Sequence, residues 1–201
     1  MRWILKYMVL TFLGITLAGC GTAMQEVKAK SQSERTDVFS EVKEEGMPPK
    51  GFADLVIRAS IKTRLESYYI LESKESLHGK PVYPFAINID GQAAVWKVEG
   101  QKNIIPAYDQ DGKTSLDPEA GDGMKYVLER RIRLSAGSHK VFFGLPEENY
   151  SKNFDIALKE GAVYVLEFKP TYKYKTRPHR IPTFMKGIKG YEVFLDGKQL
   201  Q

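Results

Sequence analysis

The sequence predicts an all-β protein: an antiparallel β-sandwich of the immunoglobulin-like or transthyretin-like kind, preceded by a signal peptide and a flexible tether. Three observations predict it. From Gly51 onward, apolar residues recur at alternate positions in short runs, the period of a half-buried strand. Turn-forming stretches such as Asp90-Gly91, Ser135-Ala136-Gly137-Ser138 and Asp196-Gly197 punctuate these runs at the spacing of short antiparallel strands. Strands do not alternate with long amphipathic helices, which argues against a parallel α/β sheet.

The first element is residues 1–19. Arg2 and Lys6 open it, an apolar run from Tyr7 to Leu17 follows, and Ala18 and Gly19 close it. A charged start, a short apolar centre and a small-residue exit describe a secretory signal peptide. The run is shorter than the ~20 apolar residues that a bilayer core of about 30 Å requires. The ending Leu17-Ala18-Gly19-Cys20 resembles the lipobox of bacterial lipoproteins. That resemblance implies cleavage before Cys20 and lipidation of its thiol, with a diacylglycerol thioether and in many bacteria an added N-acyl chain such as palmitate. More than one acyl chain satisfies the requirement for stable anchoring. Gly21, rather than Asp, follows the cysteine. By the same resemblance this favours a cell-envelope location at the outer membrane, facing the periplasm, where the source has two membranes. Cys20 is the one cysteine of the chain, so an intrachain disulfide, a catalytic thiol and a Cys-based zinc site are excluded.

Residues 20–50 are rich in Glu, Lys, Ser and Gln, with no aromatic before Phe39. Such a composition buries little apolar surface, and it reads as a tether with at most a short helix around residues 34–44. Pro48-Pro49 ends any helix there. Residues 51–201 form the β-domain, long enough to build one core without staples. The formal charge of the whole chain is +5, and loss of Arg2 and Lys6 lowers it by two. A mildly basic exported protein does not point to a nucleic-acid partner.

Within the domain, residues 52–60 alternate, with Ala53, Leu55, Ile57 and Ala59 on one side and Asp54 and Arg58 on the other. Residues 61–80 fit either a helix or a strand. The aromatic and β-branched Thr63, Tyr68, Tyr69 and Ile70 favour a strand with a turn at His78-Gly79-Lys80-Pro81. Residues 82–98 read as a hairpin about Asp90-Gly91, with Pro84 marking a sheet edge. A long acidic loop spans about 99–123. Strands then follow at 126–134, 139–145, 154–158, 162–168 and 191–195, and the run 162–168 is apolar enough to be a central strand.

The stretch Phe85-Ala-Ile-Asn-Ile-Asp-Gly91, followed by Arg131-Ile-Arg-Leu-Ser-Ala-Gly-Ser-His-Lys-Val141, resembles the PEGA and DUF2846 class of small β-domains. Leu158-Lys-Glu-Gly-Ala-Val-Tyr-Val165 is similar to the next turn and strand of that class. The resemblance covers roughly residues 51–170. It departs from PEGA proper in lacking a Pro-Glu-Gly-Ala string and in its long acidic loop. It implies an exported, surface-associated module without a known catalytic centre.

Candidate sites are few. His78, His139 and His179 lie in separate stretches without metal-binding spacing, and His139 follows a turn with the alternation of a structural histidine. Asp109, Asp111 and Asp117 offer a calcium reading. However, Lys113, Thr114 and Ala120 occupy positions where an EF-hand needs a ligand, a glycine and a bidentate glutamate, so the preferred expectation is a solvated loop and no metal. No cofactor is expected. Lys173, Lys175, Arg177 and Arg180 fall in an acid-free segment interleaved with Tyr172 and Tyr174, either a polar hairpin or a patch for phosphates or anionic sugars. The expected function is a membrane-anchored, non-catalytic binding or structural module. Its expected partners are the membrane, through Cys20, and an envelope protein, peptidoglycan or anionic glycolipid. The alternative is a hydrolase of envelope polymers using Asp109, Asp111 and Glu119, a chemistry that needs two carboxylates about 5–9.5 Å apart on a rigid frame.

Overall fold

The computed structural model describes residues 23–33, 35–43, 46–70, 72–108, 110–173 and 183–200. Ten strands occur among them: β1 (Phe39–Glu41), β2 (Phe52–Thr63), β3 (Val82–Ile89), β4 (Gln92–Ile105), β5 (Gly121–Ser135), β6 (Gly137–Leu145), β7 (Tyr150–Leu158), β8 (Val163–Tyr172), β9 (Ile188–Leu195) and β10 (Lys198–Leu200). Helix α1 (Ala23–Lys30) precedes them, and a 3₁₀ turn, Thr183–Lys186, precedes β9.

The all-β class is as expected. The strands form one sheet in the order β10-β9-β8-β2-β5-β4-β3-β6-β7, nearly closed into a barrel, with β1 added on β5. β4 turns the corner: residues 92–99 pair with β3 and residues 100–105 with β5. Gly100 sits at the bend, where a Cβ would lie 2.5 Å from the ring of Tyr126. Where β7 and β9 approach without a ladder, the Tyr191 N–H donates to the Tyr150 hydroxyl at 3.2 Å. The interior is filled by aromatic and branched residues, among them Phe143 stacked on Phe168 at 3.9 Å between centroids, with Tyr83, Phe85 and Tyr126 beside them.

Several expectations are corrected. The sheet is not wholly antiparallel, because β2 and β8 pair in parallel, Asp54 with Val163 through Ala59 with Phe168. Three reversals separate β2 from its antiparallel neighbour β5, whereas six separate it from β8 and return the chain to the direction of β2. The expected strand through residues 64–80 is a series of turns, since β2 ends at Thr63. The acidic loop is shorter than expected because β4 runs on to Ile105 and β5 begins at Gly121. The run 162–168 is interior, flanked by β2 and β9, but Leu166 and Phe168 are buried while Val163 is exposed, so only one face is covered. Pro84 does mark an edge: β3 pairs with β6 only over residues 86–89, beyond the proline.

The expected tether carries structure of its own. Val27 of α1 is buried against Ala86 and Phe142, and Glu26 accepts hydrogen bonds from Ser151 (2.6 Å) and Asn153 (2.9 Å). In place of a helix at 34–44, Phe39–Glu41 pairs with Ile132–Leu134. Gln92 holds it in place: its Oε1 accepts the N–H groups of Val38 and Phe39, and its Nε2 donates to the Phe39 carbonyl. One buried valine, one buried phenylalanine and a few side-chain bonds dock a segment whose composition is otherwise that of a solvated chain.

Candidate functional site

The ladders place the connections unequally. At one end lie the short turns Asp90-Gly91, Ala136, 159–162 and Asp196-Gly197, and at the other the strand ends that bound the longer connections: Thr63 and Val82, Ile105 and Gly121, Leu145 and Tyr150, Tyr172 and Ile188. The long-loop end holds two polar networks side by side, roofed by Phe184.

The first network centres on His78. Its Nδ1 lies 2.7 Å from Glu72 Oε1 and its Nε2 2.7 Å from Glu148 Oε1. Glu72 also receives the Arg64 guanidinium and the Ser76 hydroxyl, and Tyr83 donates to Glu148 at 3.3 Å. The sequence brings them together through three elements: Arg64, Glu72 and His78 from the β2–β3 loop, Glu148 from the β6–β7 turn and Tyr83 from β3. Burial pushes the imidazole toward its neutral form, but the bonds to Glu148 and Glu72 and the charge of Glu148 prevail, so its pKa is raised. Burial likewise works against the Glu72 anion, and the bonds from Arg64, Ser76 and His78 overcome it, bringing its pKa down to about 2. Glu148 is held below its ordinary value, since its bond to His78 and that cation's charge outweigh its burial. Two carboxylates facing one imidazolium and one guanidinium make a charge-balanced clamp.

The second network centres on Lys62, whose side chain is buried. Its ammonium donates to Asn103 Oδ1 (2.8 Å), the Glu119 carbonyl (2.7 Å) and the Gly121 carbonyl (2.8 Å), and stands 4.8 Å from the Phe184 ring centre. Burial lowers its pKa, partly offset by the Glu119 carboxylate. Glu119 binds the Lys125 ammonium and accepts the Tyr172 hydroxyl at 2.7 Å, while that hydroxyl accepts the Lys62 N–H at 2.9 Å. Burial and the Glu119 charge push the Tyr172 hydroxyl far up, so it remains a neutral donor. The space enclosed by Lys62, Thr63, His78, Glu148 and Phe184 is too tight for a water molecule.

At the opposite end, the Asp90-Gly91 turn meets the Gly137-Ser138-His139 stretch. Asp90 Oδ1 accepts the Lys140 N–H at 2.8 Å and its Oδ2 lies 2.7 Å from His139 Nδ1, while His139 Nε2–H donates to the Ser135 carbonyl at 2.8 Å. The Asp-Gly and Gly-Ser-His turns are thus cross-linked, and His139 holds two turns together.

The other residues singled out by sequence are dispersed. Lys173 is exposed at the end of β8; Lys175, Arg177, Arg180, His179, Asp109 and Cys20 lie outside the described residues. Asp111 is exposed and pairs with Lys113 at 3.9 Å, and Asp117 Oδ1 accepts the Glu119 N–H at 2.8 Å, capping the turn into β5. Among the described residues, no three His, Cys, Asp or Glu side chains converge as a metal site, and no helix is long and apolar enough to cross a membrane. Sequence reasoning missed Glu72, Glu148 and Lys62 as partners, because each meets residues far away in the chain and no local spacing signals the encounter. The chain matches no family model, no curated protein and no solved structure.

Proposed function

We propose that the chain is an exported lipoprotein, anchored through lipid on Cys20, whose β-domain acts as a non-catalytic binding or structural module of the cell envelope. The observation that carries this reading is the mutual pairing of the ionic groups at the long-loop end. Glu72 and Glu148 clasp His78 and so join two loops, and Glu119 ties its loop to β5 and β8 through Lys125 and Tyr172. Glu119, which the hydrolase alternative would use as an acid or base, stands instead within a buttress for Lys62. A rigid end built this way suits recognition by shape and surface, with an envelope protein, peptidoglycan or anionic glycolipid as the partner class. The PEGA and DUF2846 resemblance, with its immunoglobulin-like or transthyretin-like sandwich, belongs to the same proposal; the cross-linked turns at Asp90 and His139 support it.

Metabolic labelling with a fatty acid tests the anchor. The native chain is expected to take up label and to lose residues 1–19, and Cys20→Ala to do neither. Label retained by Cys20→Ala would refute lipidation at this residue.

A further inference from the structure

The long-loop end also carries most of the large apolar side chains that the described residues leave exposed. Ile70 and Leu116 are each 98 % exposed, Ile104 73 %, Tyr108 62 %, and Tyr68 and Tyr69 lie beside them in sequence on the 64–81 loop. Surface apolar residues scattered singly are ordinary, but several gathered on adjacent loops of one end mark a surface that meets something apolar. Tyrosines among aliphatic side chains are the mixture that settles at the boundary between headgroups and acyl chains.

Helix α1 says which surface that is. It lies along β6, β7 and β3 with its start at the long-loop end: the Met24 N–H donates to Asn149 in the β6–β7 turn, while the Lys30 carbonyl accepts from Asn88 near the opposite end. Cys20 stands three residues before Ala23, and three residues span at most about 11 Å. A lipid on Cys20 therefore enters the bilayer within about 11 Å of the start of α1, on the side where the apolar loops project. An interfacial element sinks about 5–10 Å into the headgroup boundary.

We propose that the domain stands end-on, with the long-loop end against the membrane and Tyr68, Tyr69, Ile70, Tyr108 and Leu116 seated in the lipid interface. The short-turn end, with the Asp90–His139 lock, points away. This proposal rests on the lipid-anchor reading above and adds an orientation to it. The loops would then supply the contact that holds the domain upright.

Reconstitution of the mature lipoprotein into phosphatidylethanolamine–phosphatidylglycerol vesicles, with and without brominated acyl chains, tests the orientation. Three single variants are compared with the parent: Ile70→Trp and Leu116→Trp on the long loops, and Val163→Trp at the start of β8 on the opposite end. Mass spectrometry of the floated protein reports the lipid on Cys20 separately, and the melting temperature reports folding. The expected result is lipidated, folded protein in which the two loop tryptophans lose most of their emission in brominated vesicles while Val163→Trp does not. Lipidated protein with no such loss at either loop, or with loss at Val163→Trp alone, would overturn the orientation and leave the anchor standing. Loop tryptophans shielded from both bromine and iodide would assign the loops to a protein partner and overturn the proposal. Absence of lipid on Cys20 would remove the anchor and the orientation together. A second readout is partitioning of the unlipidated chain lacking residues 1–20 onto the same vesicles. It should fall about tenfold on Ile70→Ser/Leu116→Ser, the scale of two partly buried aliphatic side chains. Unchanged partitioning would deny the loops their role.

Discussion

His78 is the residue on which the long-loop end turns. Its two nitrogens face carboxylates carried by segments 70 residues apart on one side and six on the other, so it ties the 64–81 loop to the β6–β7 turn. Removing one partner of a buried ion pair strands the other, at a cost of about 3 kcal/mol. We expect His78→Ala to lower the melting temperature by several degrees at neutral pH and below. The pH dependence has two limbs. The raised pKa of His78 gives a stabilisation that is fully present below the ordinary histidine value of 6.5 and is lost as pH rises through the folded value. The depressed pKa of Glu72 gives one that is fully present above 4.5 and is lost as pH falls toward about 2. The difference in melting temperature between the native chain and His78→Ala should thus be largest between these limits and shrink on the alkaline side. A difference that grows with alkaline pH would refute the clamp. The Asp90-Gly91 turn, by contrast, is legible in the sequence because its cause is local: Asp90 and Gly91 have φ of 49° and 94°, values that asparagine, aspartate and glycine tolerate. Nothing local announces that Glu148 waits for His78.

Among the elements, α1 departs furthest from what composition suggests. Its seat depends on Gly144, where a Cβ would stand 2.7 Å from Val27 Cγ2 and 3.0 Å from the Phe142 ring. Gly144→Ala should therefore lift the helix at a cost of about 1–3 kcal/mol, the range of overpacked sites. Faster hydrogen exchange at residues 27–31 and tryptic cleavage after Lys28 or Lys30 would report it, and Val27→Ala should restore protection in the double variant. Gly144→Ala with protection unchanged would mean that the helix is held elsewhere. The strands were legible where one face is buried, as in β2 with Ala53, Leu55, Ile57 and Ala59 inside. They were misread where apolar residues are exposed: Tyr68, Tyr69 and Ile70 have strand-forming side chains but occupy turns, and preference for a pleated, half-buried surface has no hold without a neighbouring strand.

For the molecule as a whole, the sequence announces short strands and their turns, while the order of strands depends on contacts that no window of sequence contains. The parallel β2–β8 pair and the near closure at Tyr150 and Tyr191 are of this kind. The end-on arrangement places Lys173, which leaves β8 at the long-loop end, on the side of the proposed membrane. Each cation near an anionic surface contributes about 1 kcal/mol at low salt, and the contribution fades within a Debye length of about 10 Å at 0.1 M salt. Replacing Lys173, Lys175 and Arg177 together by Gln should leave the melting temperature almost unchanged and weaken binding of the chain lacking residues 1–20 to anionic vesicles. The difference should shrink at high salt. Equal binding at low salt would reduce the three cations to a solvated surface.

The parallel pairing of β2 and β8 also sets an order of events in the making of the molecule. β2 is among the first strands to leave any machine that delivers the chain from its amino terminus, yet its neighbours on both sides come much later, at residues 121–135 and 163–172. Until the last of these arrives, β2 keeps an unpaired edge on a strand that carries the apolar Leu55, Ile57 and Ile61. Contacts this distant in sequence close slowly, and an unpaired apolar strand is a template for association with another chain. A chain interrupted before residue 163 would keep that edge open permanently. The nascent protein is therefore most vulnerable, and most in need of a chaperone's cover, in the interval between the emergence of β2 and that of β8.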